Sequence, residues 1–188
     1  MAIQSYNNFL DDVSYQKLYS IFFGQGFPWY FYEASVDIYD NSPSVLRHCF
    51  VKEAQNNSSW TEILEGLFQT ISKTLKTDIS FISAHANLTF PSAGDLTLCP
   101  HIDHDEFDND CYTAIYYLHD VDGDTIIYNQ TVKTNSEIDI SVLTPQLTIT
   151  PEANRLVIWP GSTVHSAPPT SSNPRIVINL NFRISNGI

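Results

Sequence analysis

Arg175-Ile-Val-Ile-Asn-Leu-Asn-Phe-Arg-Ile184 alternates in character from end to end. Successive side chains of a strand point to opposite faces. Ile176, Ile178, Leu180, Phe182 and Ile184 therefore form one apolar row, and Arg175, Val177, Asn179, Asn181 and Arg183 form the other. The apolar row predicts a sheet face covered by helices. The polar row predicts the inside of a roll, where such side chains need ligands or hydrogen bonds to be tolerable.

The covering helices are legible upstream. Asp12 to Phe23, closed by Gly24, sets Tyr15, Leu18, Tyr19 and Phe22 on one side. Ser59 with Glu62 makes a capping-box pattern, and Trp60, Ile63, Leu64, Leu67, Phe68 and Ile71 follow at helical spacing. Beyond Lys76 the pattern changes to short strands: Ile79–Phe90, Leu96–Asp103, Tyr112–Leu118, Thr125–Tyr128, Gln146–Thr150, Arg155–Trp159 and Pro174–Ile184. Asp122-Gly123, Asn154 and Pro160-Gly161 punctuate them. Helices followed by strands predict a mainly β fold with flanking helices, a double-stranded β-helix (jelly roll) with N-terminal helices packed on the major sheet. No repeat or linker interrupts residues 1–188, which read as one domain: a helical buttress over roughly 8–77 and a jelly-roll core over roughly 79–184.

Nine Lys and Arg against 21 Asp and Glu leave a net charge of −12, a surface that repels phosphate backbones and argues against a duplex nucleic-acid partner. Cys49, Cys99 and Cys111 lack C-x-x-C spacing and are odd in number, so they read as free thiols in a reducing compartment. Met1-Ala-Ile-Gln-Ser-Tyr-Asn-Asn8 has neither a basic nor an apolar region of a signal peptide. No apolar run approaches the ~20 residues of a membrane span. These features predict a soluble cytoplasmic protein without a membrane partner.

The chemistry is concentrated in Cys99-Pro-His-Ile-Asp-His-Asp105, where His101 and Asp103 stand at i and i+2. On a strand both face one way, so they offer an imidazole and a carboxylate to one metal. His165, in Pro160-Gly-Ser-Thr-Val-His-Ser-Ala167, completes a two-His, one-carboxylate set. Such a set leaves positions open on the ion and suits non-haem Fe(II). Arg175 follows ten positions after His165. His104-Asp105-Glu106 offers the same pattern in a second register. Cys99 alternates in phase with His101 and Asp103, but no second cysteine pair supports a zinc thiolate site.

These residues belong to an ordered series: Asn8-Phe-Leu10, Phe27-Pro-Trp-Tyr30, His85-Ala-Asn-Leu88, His101-Ile-Asp103, Tyr112-Thr-Ala-Ile-Tyr-Tyr-Leu118, Gly123-Asp-Thr125, Asn154-Arg-Leu-Val157, His165 and Arg175-Ile-Val-Ile-Asn-Leu-Asn181. In that series the chain resembles, nearly end to end, the Fe(II)/2-oxoglutarate-dependent oxygenase superfamily in its prolyl 4-hydroxylase-like branch. More narrowly, it is similar to short oxygenases of marine bacteriophages and bacteria. The resemblance implies that His101, Asp103 and His165 are iron ligands and the catalytic centre. It implies that Arg175 grips the distal carboxylate of 2-oxoglutarate, a task suited to a planar fork of donors. Tyr117 would donate its hydroxyl to the same carboxylate. Thr113 and Ile115 share its strand face, and Asn87 and Asn181 resemble further pocket-lining positions. The interval of 16 residues from His101 to Tyr117 matches the family and favours His101 over His104.

The implied activity is hydroxylation of a C–H bond in a peptidyl (prolyl-like) or small-molecule substrate. It would consume O2 and 2-oxoglutarate, release succinate and CO2, respond to ascorbate and, for a phage-encoded protein, take place in the host cytoplasm. Gly123-Asp124 stands where the family has a glycine pair, and His119 where it has Asn; both bear on loop shape. Halogenation on the same fold needs the carboxylate ligand removed, which Asp103 opposes. A non-catalytic jelly-roll binding module would account for the sheet and the aromatics but not for this ordered set. Substrate choice is expected from Asp37–Asn57, Asp105–Asp110 and Val132–Pro145, which carry no readable specificity. Phe27-Pro-Trp-Tyr-Phe-Tyr32 reads as packing first and substrate contact second. His48 and His119 read as structural, His85 as a residue of the pocket entrance, and Arg183 as a surface residue.

Overall fold

The computed structural model describes residues 2–36, 39, 42–92, 99–105 and 110–185. The chain runs through β1 (Gln4–Tyr6), α1 (Asp12–Phe22), β2 (Tyr30–Tyr32), β3 (Val45–Lys52) and β4 (Gln55–Asn56). A 3-10 segment (Ser59–Leu64) then leads into α2 (Glu65–Leu75), followed by β5 (Ile79–Thr89), β6 (Cys111–Tyr117) and β7 (Thr125–Thr131). Two short 3-10 turns precede β8 (Pro145–Ile149), β9 (Arg155–Pro160), β10 (Thr163–Ser166) and β11 (Arg175–Ile184). The major sheet has the order β1-β9-β6-β11-β5-β3-β2, with β4 paired to β3, and the minor sheet has the order β10-β7-β8. Every pairing is antiparallel, and the two sheets form the expected jelly roll.

β11 lies between β5 and β6, and its two faces divide the molecule. Ile176, Ile178, Leu180 and Phe182 join Leu18 and Phe22 of α1 and Leu67 and Ile71 of α2 in the main core. Each such burial contributes about 1.5–3 kcal/mol, enough to fix which face of β11 meets the helices. On the other side, Ile115, Tyr117, Val157, Trp159 and Val177 of the major sheet pack with Ile127 and Ile149 of the minor one. That apolar plug fills part of the roll. The polar remainder of the inner face borders a cavity.

Three differences from the sequence reading have physical causes. The stretch read as a helical buttress over roughly 8–77 also supplies β2, β3 and β4 to the major sheet. Its main strand, β3, was hidden because His48 interrupts the apolar pattern. His48 is nevertheless buried, with its ring nitrogens 2.8 Å from Pro28 O and 2.8 Å from Ser58 Oγ. Much of Asp37–Asn57 is therefore sheet rather than substrate loop, and residues 37, 38, 40 and 41 lie outside the described residues.

Helix α2 is entered through 3-10 geometry, with Ser58 rather than Ser59 as its cap. The Ser58 hydroxyl accepts the Trp60 N–H at 3.0 Å, while Thr61 Oγ1 lies 2.9 Å from Phe50 O and so ties the first turn to β3. The proposed strand Leu96–Asp103 is not continuous: residues 96–98 lie outside the described set, and between Cys99 and Asp103 the ladder is reduced to an isolated bridge at His101. Pro100 has no N–H to extend a ladder. The four-residue β10, too short and polar to be read from sequence, is the partner at that bridge.

Candidate functional site

His101 and His165 face each other across that bridge. The His101 N–H donates to His165 O at 2.9 Å, and the His165 N–H donates to His101 O at 3.0 Å. Asn135, from the loop after β7, accepts the Ile102 N–H at 2.9 Å and donates to Ile102 O at 3.0 Å. One side chain thus satisfies both backbone groups of the residue between His101 and Asp103. Nδ1 of His101 is 2.8 Å from Cys99 O, and Nδ1 of His165 is 3.2 Å from Thr163 O. A carbonyl only accepts, so each Nδ1 carries the proton and each Nε2 keeps its lone pair for a ligand.

Both Nε2 atoms lie 3.7 Å from Asp103 Oδ1, and the ligand atoms of the three residues all fall within 4.8 Å of one another. Asn179 Nδ2 donates to Asp103 Oδ1 at 3.2 Å, and Thr113 Oγ1 lies 3.2 Å from Oδ2. Burial pushes the Asp103 carboxyl up, but in the metal-free cluster His101 and His165, where their rings are protonated at Nε2 as well, outweigh it and hold the group well below the usual carboxylate range. The result is an ionised oxygen donor between two imidazole donors, a set able to hold a divalent cation with open positions.

The second register is turned away from this cluster. His104 Nε2 lies 3.0 Å from Ser83 Oγ, in a chain that continues through Asn181 Nδ2 (3.0 Å) and Thr113 Oγ1 (2.8 Å to Asn181 Oδ1). Glu106 lies outside the described residues. Cys99 offers its backbone carbonyl to His101, and none of the three cysteines is in a disulfide. His119 and Arg183 are occupied elsewhere: His119 Nε2 accepts the Ile176 N–H at 3.2 Å, and Arg183 Nε donates to Cys111 Sγ at 3.4 Å.

Arg175 is buried at 7% exposure. Its Nη1 donates to Gly123 O, its Nε has no partner, and among the described residues no carboxylate lies within ion-pair distance. Burial pushes the guanidinium pKa down, with Tyr117 and Asp122 opposing. Gly123 makes this placement possible: its φ is +87°, and a Cβ there would lie 3.1 Å from Pro168 O and 3.3 Å from Arg175 Nη1. A buried cation with an unmet N–H is a receptor for an anion.

The cluster and Arg175 open on one cavity of about 340 Å3, also lined by Ile115, Val177, Asn87, Asn179 and Asn181. Thr113 and Tyr117 stand behind its wall. Tyr117 is fully buried and donates to Thr125 Oγ1 at 2.7 Å, and Thr125 reaches the cavity. Burial raises the Tyr117 hydroxyl to about 12, so it remains a donor at neutral pH. The sequence reading missed Arg47, Thr125 and the role of Asn135. Thr125 could have been found from its place beside Gly123. The other two lay in segments read as loops.

Residues 88–183, half of the chain, match the sequence profile of the 2OG-Fe(II) oxygenase superfamily. The chain belongs to that superfamily. Its members use Fe(II) and 2-oxoglutarate, and the residues present fit both: three converging donors for the metal, and a buried guanidinium with an unpartnered Nε for the acid. An oxidoreductase of the 2OG-Fe(II) oxygenase family from Burkholderia pseudomallei is similar in structure, with a TM-score of 0.70 at 9% identity over 97% of this chain and 85% of its own. A prolyl hydroxylase from Trichoplax adhaerens, in complex with a hypoxia inducible factor oxygen degradation domain peptide fragment, gives 0.62 at 16% identity over 97% and 83%. The epimerase SnoN, in complex with Fe3+, alpha ketoglutarate and nogalamycin RO, gives 0.63 at 14% identity over 97% and 78%. These likenesses establish the oxygenase fold. No curated protein matches the chain by sequence. Among the described residues no helix is long and apolar enough to cross a membrane.

Proposed function

We propose that this oxygenase is a 2-oxoglutarate-dependent dioxygenase that hydroxylates a C–H bond of a peptidyl (prolyl-like) or small-molecule substrate in the cytoplasm. His101, Asp103 and His165 hold Fe(II), and Arg175 holds the distal carboxylate of 2-oxoglutarate. The observation that carries the reading is one cavity that pairs a three-donor cluster with a buried guanidinium lacking a partner at Nε. When bound, Fe(II) and the 2-oxo acid supply reduction of O2 coupled to oxidative decarboxylation, with succinate and CO2 as products.

The side chains of the protein bind, orient and exclude water. Arg175 offers two parallel donors to a carboxylate. Tyr117 donates to Thr125 Oγ1, which frees the Thr125 proton for the same carboxylate. Ile115 and Val177 form an apolar stretch of wall along the bound acid, and Asn87 and Asn181 complete it. Asn179 and Thr113 keep Asp103 aimed at the metal. Asp103 also favours hydroxylation over halogenation, because it occupies the position a halide would need.

Anaerobic addition of 2-oxoglutarate to the Fe(II) protein should produce a weak visible charge-transfer band, and a binding module of the same fold should produce none. Asp103→Ala should lose 2-oxoglutarate turnover. Succinate formation at the wild-type rate in that variant would refute the ligand assignment. Mass spectrometry of lysates incubated with and without the protein identifies the substrate as a species that gains one oxygen atom. A product of unchanged mass formed with stoichiometric succinate, the remaining two electrons for O2 coming from ascorbate, would replace hydroxylation by an isomerising outcome.

A further inference from the structure

Arg47, on β3, lines the same cavity without belonging to the metal cluster or the proposed 2-oxoglutarate site. Its Nε donates to Asn87 Oδ1 at 2.8 Å, its Nη2 donates to Ser35 O at 3.0 Å, and its guanidinium lies 5.0 Å from the centre of the Tyr32 ring. Among the described residues, these neutral contacts fix the plane of the fork and leave about three of its five N–H groups uncommitted. Among the described residues no carboxylate lies within ion-pair distance of it, although the chain carries a net charge of −12.

The charges in the cavity point to what Arg47 is for. The two positive charges of Fe(II) and the one of Arg175 are balanced by the single negative charge of Asp103 and the two of 2-oxoglutarate. Neighbouring His85 is neutral at pH 7, since burial and then the charge of Arg47 push its pKa down to about 4. Among the described residues, Arg47 is therefore the one Lys or Arg charge on the cavity wall left without a counter-charge. Its position suits a substrate rather than the cosubstrate. Arg47 pairs with Asn87 and Asn87 with Val177, so two strand spacings, about 10 Å, separate Arg47 from the strand that carries Arg175 and Asn179.

We propose that Arg47 selects the substrate: an organic molecule bearing an anionic group, a carboxylate or a phosphate monoester, that seats on Arg47 and so directs a C–H bond toward His101, Asp103 and His165. The assignment rests on the oxygenase reading of that cluster. Tyr32 and Asn87 act as positioning residues, holding the guanidinium from its face and its edge.

The test needs no knowledge of the natural substrate. Protein loaded with Zn(II), a diamagnetic stand-in, and saturating 2-oxoglutarate is titrated with butyrate, methyl phosphate and neutral butyramide. The readout is the NMR resonance of the Arg47 Nε–H, identified among the four arginines by its loss in Arg47→Gln. Butyrate or methyl phosphate should shift that resonance saturably, butyramide should not, and the tighter anion names the substrate class. A second readout, protection of the protein against thermal unfolding by the same anion, should require at least tenfold more anion in Arg47→Gln and should be partly restored in Arg47→Lys. Equal response to butyramide, or a response no stronger than that of Arg155 and Arg183, would overturn the proposal. So would a shift of Arg47 by 2-oxoglutarate itself, which would move the cosubstrate from Arg175 to Arg47. Failure of 2-oxoglutarate to bind the metal-loaded protein would count against the oxygenase reading, and the butyrate titration would still decide the role of Arg47.

Discussion

Replacing Arg175 by methionine separates the two consequences of a buried guanidinium. Among the described residues the Arg175 side chain donates from Nη1 to Gly123 O, and Nε is unpartnered. Exchanging buried ionic groups for apolar chains of similar volume is neutral or stabilising, by up to about 4 kcal/mol. Orphaning the Gly123 carbonyl costs about 1–3 kcal/mol. The two effects nearly cancel, so the ligand-free variant should unfold in urea within about 1 kcal/mol of wild type. Binding has no such compensation. Removing one partner of a buried charge pair costs about 2–5 kcal/mol, which is about 30- to 4,000-fold in 2-oxoglutarate affinity. Anaerobic titration of the visible band measures the affinity, and urea unfolding of the metal-free protein measures the stability. Iron binding should be spared, and Arg175→Lys should recover part of the affinity, because a point charge cannot present two parallel donors. Unchanged affinity would refute the assignment and direct attention to Arg47. A loss of stability equal to the loss of affinity would make Arg175 part of the scaffold instead.

Asn179→Ala removes the amide that holds Asp103 Oδ1, and should weaken metal binding about 10- to 100-fold while leaving the fold intact, as competition with a chelating dye would show. Gly123→Ala should destabilise the protein by more than about 1 kcal/mol, because φ is +87° and the added Cβ crowds Arg175, and it should weaken 2-oxoglutarate binding in parallel. Below neutrality the metal-free protein should lose stability through His85. Burial and Arg47 lower its pKa from 6.5 to about 4, so the unfolded chain takes up this proton first. Its contribution is complete above pH 6.5 and lost as pH falls toward about 4, with a magnitude on the order of 3 kcal/mol. Urea midpoints in His85→Gln should decline less steeply over that window.

The sequence revealed the fold where burial is one-sided. β11 and α2 each carry an unbroken apolar row, and both appear where periodicity puts them, because a shift of one residue would expose the whole row. β3 failed the same test for a physical reason. His48 occupies a core position through hydrogen bonds to Pro28 and Ser58, partners more than eight residues away that no local pattern encodes. β1 and β2 are edge strands of three residues, and β2 is exposed throughout, so neither has a burial pattern to read.

The site divides in the same way. His101 and Asp103 declare themselves by spacing, but the arrangement that brings them to His165 depends on the bridge between the two histidines and on Asn135 gripping Ile102. Those are long-range contacts between stretches that read separately as strand and loop. Arg175 was legible because it opens an alternating strand, and an arginine in a row facing the inside of a roll demands a partner. Arg47 was not, because its significance arises only when β3 is laid beside β5 and Asn87 meets its Nε. Of the residues proposed to bind metal and cosubstrate, Arg175 thus stands in a strongly patterned strand, while His101 and His165 meet at an isolated bridge. The residue proposed to choose the substrate stands in a weakly patterned strand, placed by its neighbours, where a substitution can alter selectivity at little cost to the core.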